Sequence, residues 1–182
     1  MAWVVRRESG EGTFDEDTLP DPPQLIRSAV DGEGIARDAG ERHGFTVGVL
    51  RGGWLYGPIP QTRMVVDLLR KRRLPVIGRG DFLVAPIHID DLAAAFAVAA
   101  ESDREGTWNV VDDEPLRFAS LVRRIAELAG APQPRTVPGW VARLLLGGPV
   151  YESMTTSMDT SNARIRAELG WAPAHPTLRQ GL

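Results

Sequence analysis

Two tyrosines, one lysine, three histidines and no cysteine are the side chains from which this 182-residue sequence can build chemistry. Without cysteine there is no disulfide framework, no thiolate nucleophile and no Cys-based zinc or iron–sulfur site. His43, His88 and His175 lack any metal-ligand spacing, so no metal centre is expected. A phosphate loop of the Walker type is excluded because the sole lysine, Lys71, follows Arg70. A dinucleotide cradle needs glycines at a strand-to-helix turn. The G-x-G pairs Gly10/Gly12, Gly32/Gly34 and Gly78/Gly80 are followed three residues later by Asp15, Arg37 and Leu83, so G-x-G-x-x-G is nowhere completed. His88 with Asp90 and Asp91 suggests acid–base work. Its flanking Ile87 and Ile89 instead place it on a strand, with Asp90 or Asp91 capping the next helix. Arg70 to Arg73 complement a helix C-terminus and face solvent.

The elements that must position these groups alternate between strand and helix. An acidic segment, Glu8 to Asp21, reads as a surface loop ending in Pro20, Pro22 and Pro23. Strands are predicted over Met1–Val5, Phe45–Leu50, Leu74–Ile77, Leu83–Ile89 and Trp108–Val111, and helices over Ile26–His43, Met64–Leu69 and from Asp90 to Ala100. A stripe at helical spacing, Phe118, Leu121, Val122, Ile125 and Leu128, stops at Gly130. A short apolar helix covers Val141–Leu146, and a last one starts at Ser161-Asn162 and ends at Gly170. Between them Arg51 to Pro58 reads as a loop rich in glycine and aromatics. Either it borders a ligand beyond a strand's C-terminal end, or Trp54 and Tyr56 pack in the core of a turn. This order implies one α/β domain with parallel pairing. With 43% hydrophobic residues and a net charge of −3, nothing marks a nucleic-acid binder. No segment reaches the roughly 18 apolar residues of a membrane span, and Ala2–Val5 is too short for a signal peptide. A soluble, cytoplasmic protein is expected.

Four stretches together resemble the epimerase/dehydratase branch of the short-chain dehydrogenase/reductase superfamily. VLRGGWLYGP (Val49 to Pro58) is similar to its Leu-Arg-Pro…Tyr-Gly-Pro pattern, and PIHIDDLAAA (Pro86 to Ala95) to its His-Val-Asp-Asp-Leu-Ala. GTWNVVDDEP (Gly106 to Pro115) looks like its Tyr-Asn-Val strand, and SNARIRAELGWAP (Ser161 to Pro173) like its closing Leu-Gly-Trp-x-Pro helix. The acidic FDEDTLPDPP (Phe14 to Pro23) resembles the loop before the family's catalytic helix.

The resemblance implies a partial NAD(P)-binding Rossmann-like fold. Roughly residues 1–111 would be its late parallel strands and helices, and 112–182 mostly a small C-terminal α/β substrate lobe. It implies NAD or NADP as cofactor, with Arg51, Gly52 and Gly53 on the cofactor side. Trp54, Tyr56, Met154 and Thr155 would be on the side of a small-molecule substrate. Two departures qualify it. Family enzymes use Tyr-x-x-x-Lys as acid or base, whereas Leu25 to Ala29 occupies that place here and no general acid can be named. Sugar-nucleotide members carry a phosphate-binding Arg where Val84 stands, which disfavours such a substrate. The expectation is the substrate-side part of an oxidoreductase whose glycine-bearing half lies elsewhere. It should bind NAD(P) poorly alone and leave an exposed sheet edge open to self-association. The alternative is an inactive relative that binds a small molecule or a partner without turnover.

Overall fold

The computed structural model describes residues 13–182, so the strand expected at Met1–Val5 lies outside the described residues. A 3-10 turn, Gln24–Ile26, leads into α1 (Arg27–His43), which Gly44 ends in the left-handed conformation. A strand then runs in two pieces, β1 (Gly48–Gly52) and β2 (Trp54–Tyr56), before α2 (Pro60–Arg70). Three short strands follow, β3 (Val76–Ile77), β4 (Leu83–Val84) and β5 (Pro86–His88), and β5 passes directly into α3 (Ile89–Glu101). Next come β6 (Gly106–Val110), β7 (Leu116–Arg117), α4 (Phe118–Leu128) and β8 (Thr136–Val137). The helices α5 (Gly139–Leu146), α6 (Gly148–Thr155), α7 (Ala163–Leu169) and α8 (Leu178–Gly181) complete the chain. No helix is long and apolar enough to cross a membrane among these residues.

Pairing is parallel for β1 with β6, β2 with β5 and β3 with β8, and antiparallel for β4 with β7. The stretch expected to be a loop, Arg51 to Pro58, is therefore mostly strand. Gly53 lets it change partner. Its N–H donates to the Val110 carbonyl at 3.0 Å, and the next N–H, of Trp54, donates to the Ala85 carbonyl at 2.7 Å. A Cβ on Gly53 would stand 2.2 Å from the Ala85 oxygen. Gly53→Ala should therefore destabilise the chain by about 1–3 kcal/mol through overpacking against backbone, readable as a lowered urea midpoint. An unchanged midpoint would contradict this crossing.

Two cores hold the layers together. One joins Tyr56, Leu69 and Val84 to the buried stripe Leu121, Val122 and Ile125 of α4, with Met158 and Leu178. The other gathers Ile87, Trp108, Val110, Ile165 and Trp171 around the longer sheet. Residues on both sides of position 111 contribute to each core. Periodicity located α4 because an amphipathic helix over a sheet needs that stripe. The helix from Gly148 to Thr155 was not anticipated, since its polar and Met-bearing sequence carries no stripe, and none of its residues is buried. At the start of α3 the cap is His88, whose Nδ1 accepts from the Asp90 N–H at 3.3 Å. Neither Asp90 nor Asp91 caps that helix; Asp91 is buried and its carboxylate serves the C-terminal segment instead.

Candidate functional site

The parallel strands β1 and β6 end together at Gly52 and Val110, as β2 and β5 do at Tyr56 and His88, and C-terminal strand ends are where open α/β sheets take ligands. Arg51 comes from β1 and is 6% exposed. Its Nε and Nη2 donate to the two carboxylate oxygens of Glu33 on α1 at 2.9 and 2.8 Å, so its guanidinium fastens α1 to the sheet. Gly52, Gly53 and Trp54 come together in a largely apolar cavity of about 410 Å³, walled also by Leu50, Leu55, Leu92 and Phe96. A Cβ on Gly52 would meet the Leu92 side chain at 3.2 Å, which a shift of a few tenths of an ångström relieves, whereas one on Gly53 would collide with backbone. Leu50 and Phe96 also wall a second hollow of about 210 Å³ with Thr46 and Gly48, so the opening continues along β1. Among the described residues β1 hydrogen-bonds to β6 alone.

Tyr56 is fully buried, and its hydroxyl donates to Asp112 Oδ2 at 2.8 Å. Met154 and Thr155 lie on α6 and do not wall the Gly52–Trp54 cavity. Met154 is half-exposed and the Thr155 hydroxyl donates to the Tyr151 carbonyl. α6 packs on the turn Gln24–Ile26, so it adjoins the place where a Tyr-x-x-x-Lys pair would start. Leu25 there is exposed and carries no proton to exchange. Val84, at the position of the phosphate-binding Arg, is buried on β4.

Sequence reasoning missed a polar cluster under the end of β2 and β5. Asp112 is 2% exposed, and burial pushes its carboxyl up to about 7 despite the hydrogen bond from Tyr56. Its Oδ1 has no partner. Burial, together with Asp112, drives the Tyr56 hydroxyl pKa upward. His88 lies edge-on to Tyr56, with ring centroids 5.3 Å apart, and 4.0 Å from the ring of His175. Burial and the neighbouring His175 hold His88 below the usual imidazole range. Beyond the end of β6 a polar cavity of about 470 Å³ is walled by Asp112, Asp113, Asp159, Ser161, Asn162 and Arg166. There Arg166 Nη2 donates to both oxygens of Asp113. Only Asp90 and Asp91, read as a pair beside His88, gave a local signal; Glu33 and His175 act through contacts distant in sequence.

This architecture is that of solved epimerases and dehydratases. It superposes on a dTDP-glucose 4,6-dehydratase from Streptomyces venezuelae with NAD bound, at a TM-score of 0.77 and 21% identity, covering 99% of this chain and 55% of that one. A UDP-glucose 4-epimerase from Thermotoga maritima with UDP-glucose gives 0.79 at 18% identity, over 99% and 58%. The resemblance read from the sequence holds at the level of the fold: the chain has the fold of about half of each of these solved epimerases and dehydratases. Among curated proteins it is similar to the 3-diazoavenalumate denitrifying reductase of a Streptomyces species. That match is 39% identical over 137 residues, which make up 74% of this chain and 45% of the relative. The chain thus spans about half the length of the proteins it matches. No family model matches the sequence.

Proposed function

We propose that the chain is the substrate-side part of an NAD(P)-dependent reductase acting on a small, electron-poor organic molecule. The observation that carries this is the 39% identity to a denitrifying reductase, joined to Leu25 and Ala29 where an acid–base pair would stand. Reduction of a carbonyl leaves an alkoxide that must be protonated, which is the task of such a pair. Hydride displacement of dinitrogen from an aryl diazonium ion needs no proton: the new C–H bond forms, the C–N bond breaks and N2 leaves. Reduced nicotinamide would supply that hydride. The chain's own part is binding and exclusion of water. Gly53 and Trp54 line the apolar pocket beside β1, and Met154 and Thr155, on α6 outside that pocket, belong to the substrate side. Arg51 acts on the cofactor side indirectly, by holding α1 in place. Residues 1–111 supply mostly late Rossmann elements and 112–182 mostly the substrate lobe. The opening beside Leu50 and Phe96 is the face that further βα units cover, in the same polypeptide or a second copy. Val84 argues against a nucleotide-sugar substrate.

Calorimetry with NADH and NADPH tests the division of labour. Residues 1–182 alone should bind either dinucleotide weaker than micromolar. A form extended upstream in its own reading frame should bind one saturably and, with an aryl diazonium acid, consume it with N2 release. Micromolar binding by the 182-residue chain would overturn the division. Tight binding by the extended form without turnover on diazonium or carbonyl compounds would favour the second reading, a binding module, which Leu25 and Ala29 also fit.

A further inference from the structure

His88, Asp91 and His175 meet although they come from different parts of the fold. His88 ends β5, Asp91 lies in the first turn of α3, and His175 belongs to the segment between α7 and α8. We infer that these three side chains form a site for one borderline transition-metal ion, with Zn2+ as the type, that staples the C-terminal segment to the sheet.

The donor set carries the inference. Two imidazoles and one carboxylate each offer an atom, and the three atoms lie within 4.8 Å of one another. His175 Nδ1 stands 3.1 Å from Asp91 Oδ2. Nitrogen and oxygen donors bind zinc at about 2.0–2.2 Å, so two donors at a tetrahedral angle are separated by roughly 3.3–3.6 Å. The observed spread closes to that with a movement of about 1–1.5 Å. His175 is free to make it, because its side chain is 31% exposed and its segment has no regular secondary structure.

The other two donors are buried, and His88 binds an ion through either ring nitrogen only when Nδ1 gives up the Asp90 N–H, since Nδ1 then either ligates or carries the proton. His88 is 4% and Asp91 3% exposed. Asp91 Oδ1 accepts from the Ala174 N–H at 2.8 Å, and Oδ2 from the His175 N–H at 2.9 Å. Backbone donors of this kind orient a ligating carboxylate and leave its second lone pairs for an ion. Three protein donors leave a fourth position for water on the exposed His175 side, and imidazole with carboxylate suits zinc, cobalt or nickel better than calcium or magnesium. Apart from these three, the groups facing the cluster are Asp90, whose Oδ2 is 3.8 Å from His88 Nδ1, and Tyr56 with Asp112.

The test uses the purified 182-residue chain in metal-free buffer, titrated with Zn2+ by calorimetry and with Co2+ by visible absorption. One equivalent should bind at micromolar affinity or tighter, Co2+ should give d–d bands, and saturating Zn2+ should raise Tm by about 5 °C. His175→Ala removes a half-exposed side chain and should leave the chain folded while weakening Zn2+ binding by at least about tenfold. His43→Ala, at an exposed histidine, should change nothing. Absence of saturable binding by the wild-type chain overturns the site, as does a His175→Ala chain that keeps its secondary structure and binds Zn2+ as tightly as wild type.

Discussion

Glu33→Ala is expected to cost about 3–5 kcal/mol of folding stability, the loss that follows when one half of a buried ion pair is removed. The Arg51 and Glu33 side chains are 8% and 9% exposed and joined by two hydrogen bonds, so the truncated protein would keep a guanidinium in the interior with nothing to neutralise it. Arg37 cannot substitute. It sits 3.7 Å from the same carboxylate, is 40% exposed, and adds a cation, not an anion. The expected loss is measured by urea denaturation. The double variant Glu33→Leu with Arg51→Met separates charge from packing, because replacing both partners by apolar groups of similar volume is close to neutral. If the single variant loses under about 1 kcal/mol, water reaches the pair and it does not fasten α1 to β1 as described.

Asp112→Asn is expected to stabilise the chain at alkaline pH and to leave it nearly unchanged in acid. The folded-state pKa of Asp112 is raised from 3.8 to about 7. Between those values the folded chain retains a proton that the unfolded chain has released, so stability falls as pH rises, and the loss is complete above the folded pKa. A shift of that size corresponds to at most about 4 kcal/mol, and about 2–4 kcal/mol is the expected gap between variant and wild type at pH 8. Asparagine keeps an oxygen for the Tyr56 hydroxyl, so little else changes. Stability of both proteins should be followed from pH 4.5 to 8.5 with a chelator present. Parallel profiles would mean that Asp112 ionises freely and that its burial is relieved by solvent.

Much of the scaffold was legible because periodicity and punctuation report local rules. The α4 stripe, the left-handed Gly170 that ends α7, and the apolar runs of β1 and β6 are of this kind. Reading Arg51 to Pro58 as a loop failed because glycine is also what a strand needs where two backbones crowd together, as Gly53 and Ala85 do. The candidate site was less legible. Arg51 was read for its charge, yet its partner Glu33 sits in a helix too polar to advertise a buried face. His88 and Asp91 were seen as neighbours, but His175 reaches them only through the tertiary fold, and no spacing rule covers that distance. Asp112 follows a strand as many aspartates do, and only the packing of Tyr56 and His88 around it makes it unusual.

No strand among the described residues pairs with the next one in the sequence. The chain therefore has no hairpin there from which sheet formation can start locally, and every ladder requires closing a long loop first. During synthesis β1 would emerge and wait, unpaired, until β6 had left the ribosome. Helices such as α2 and α3, and the β2–β5 ladder, can form while that interval lasts, but the β1–β6 ladder cannot. The delay leaves a strand edge unpaired early, so slow pairing and exposure to aggregation follow from this topology more than from any single residue.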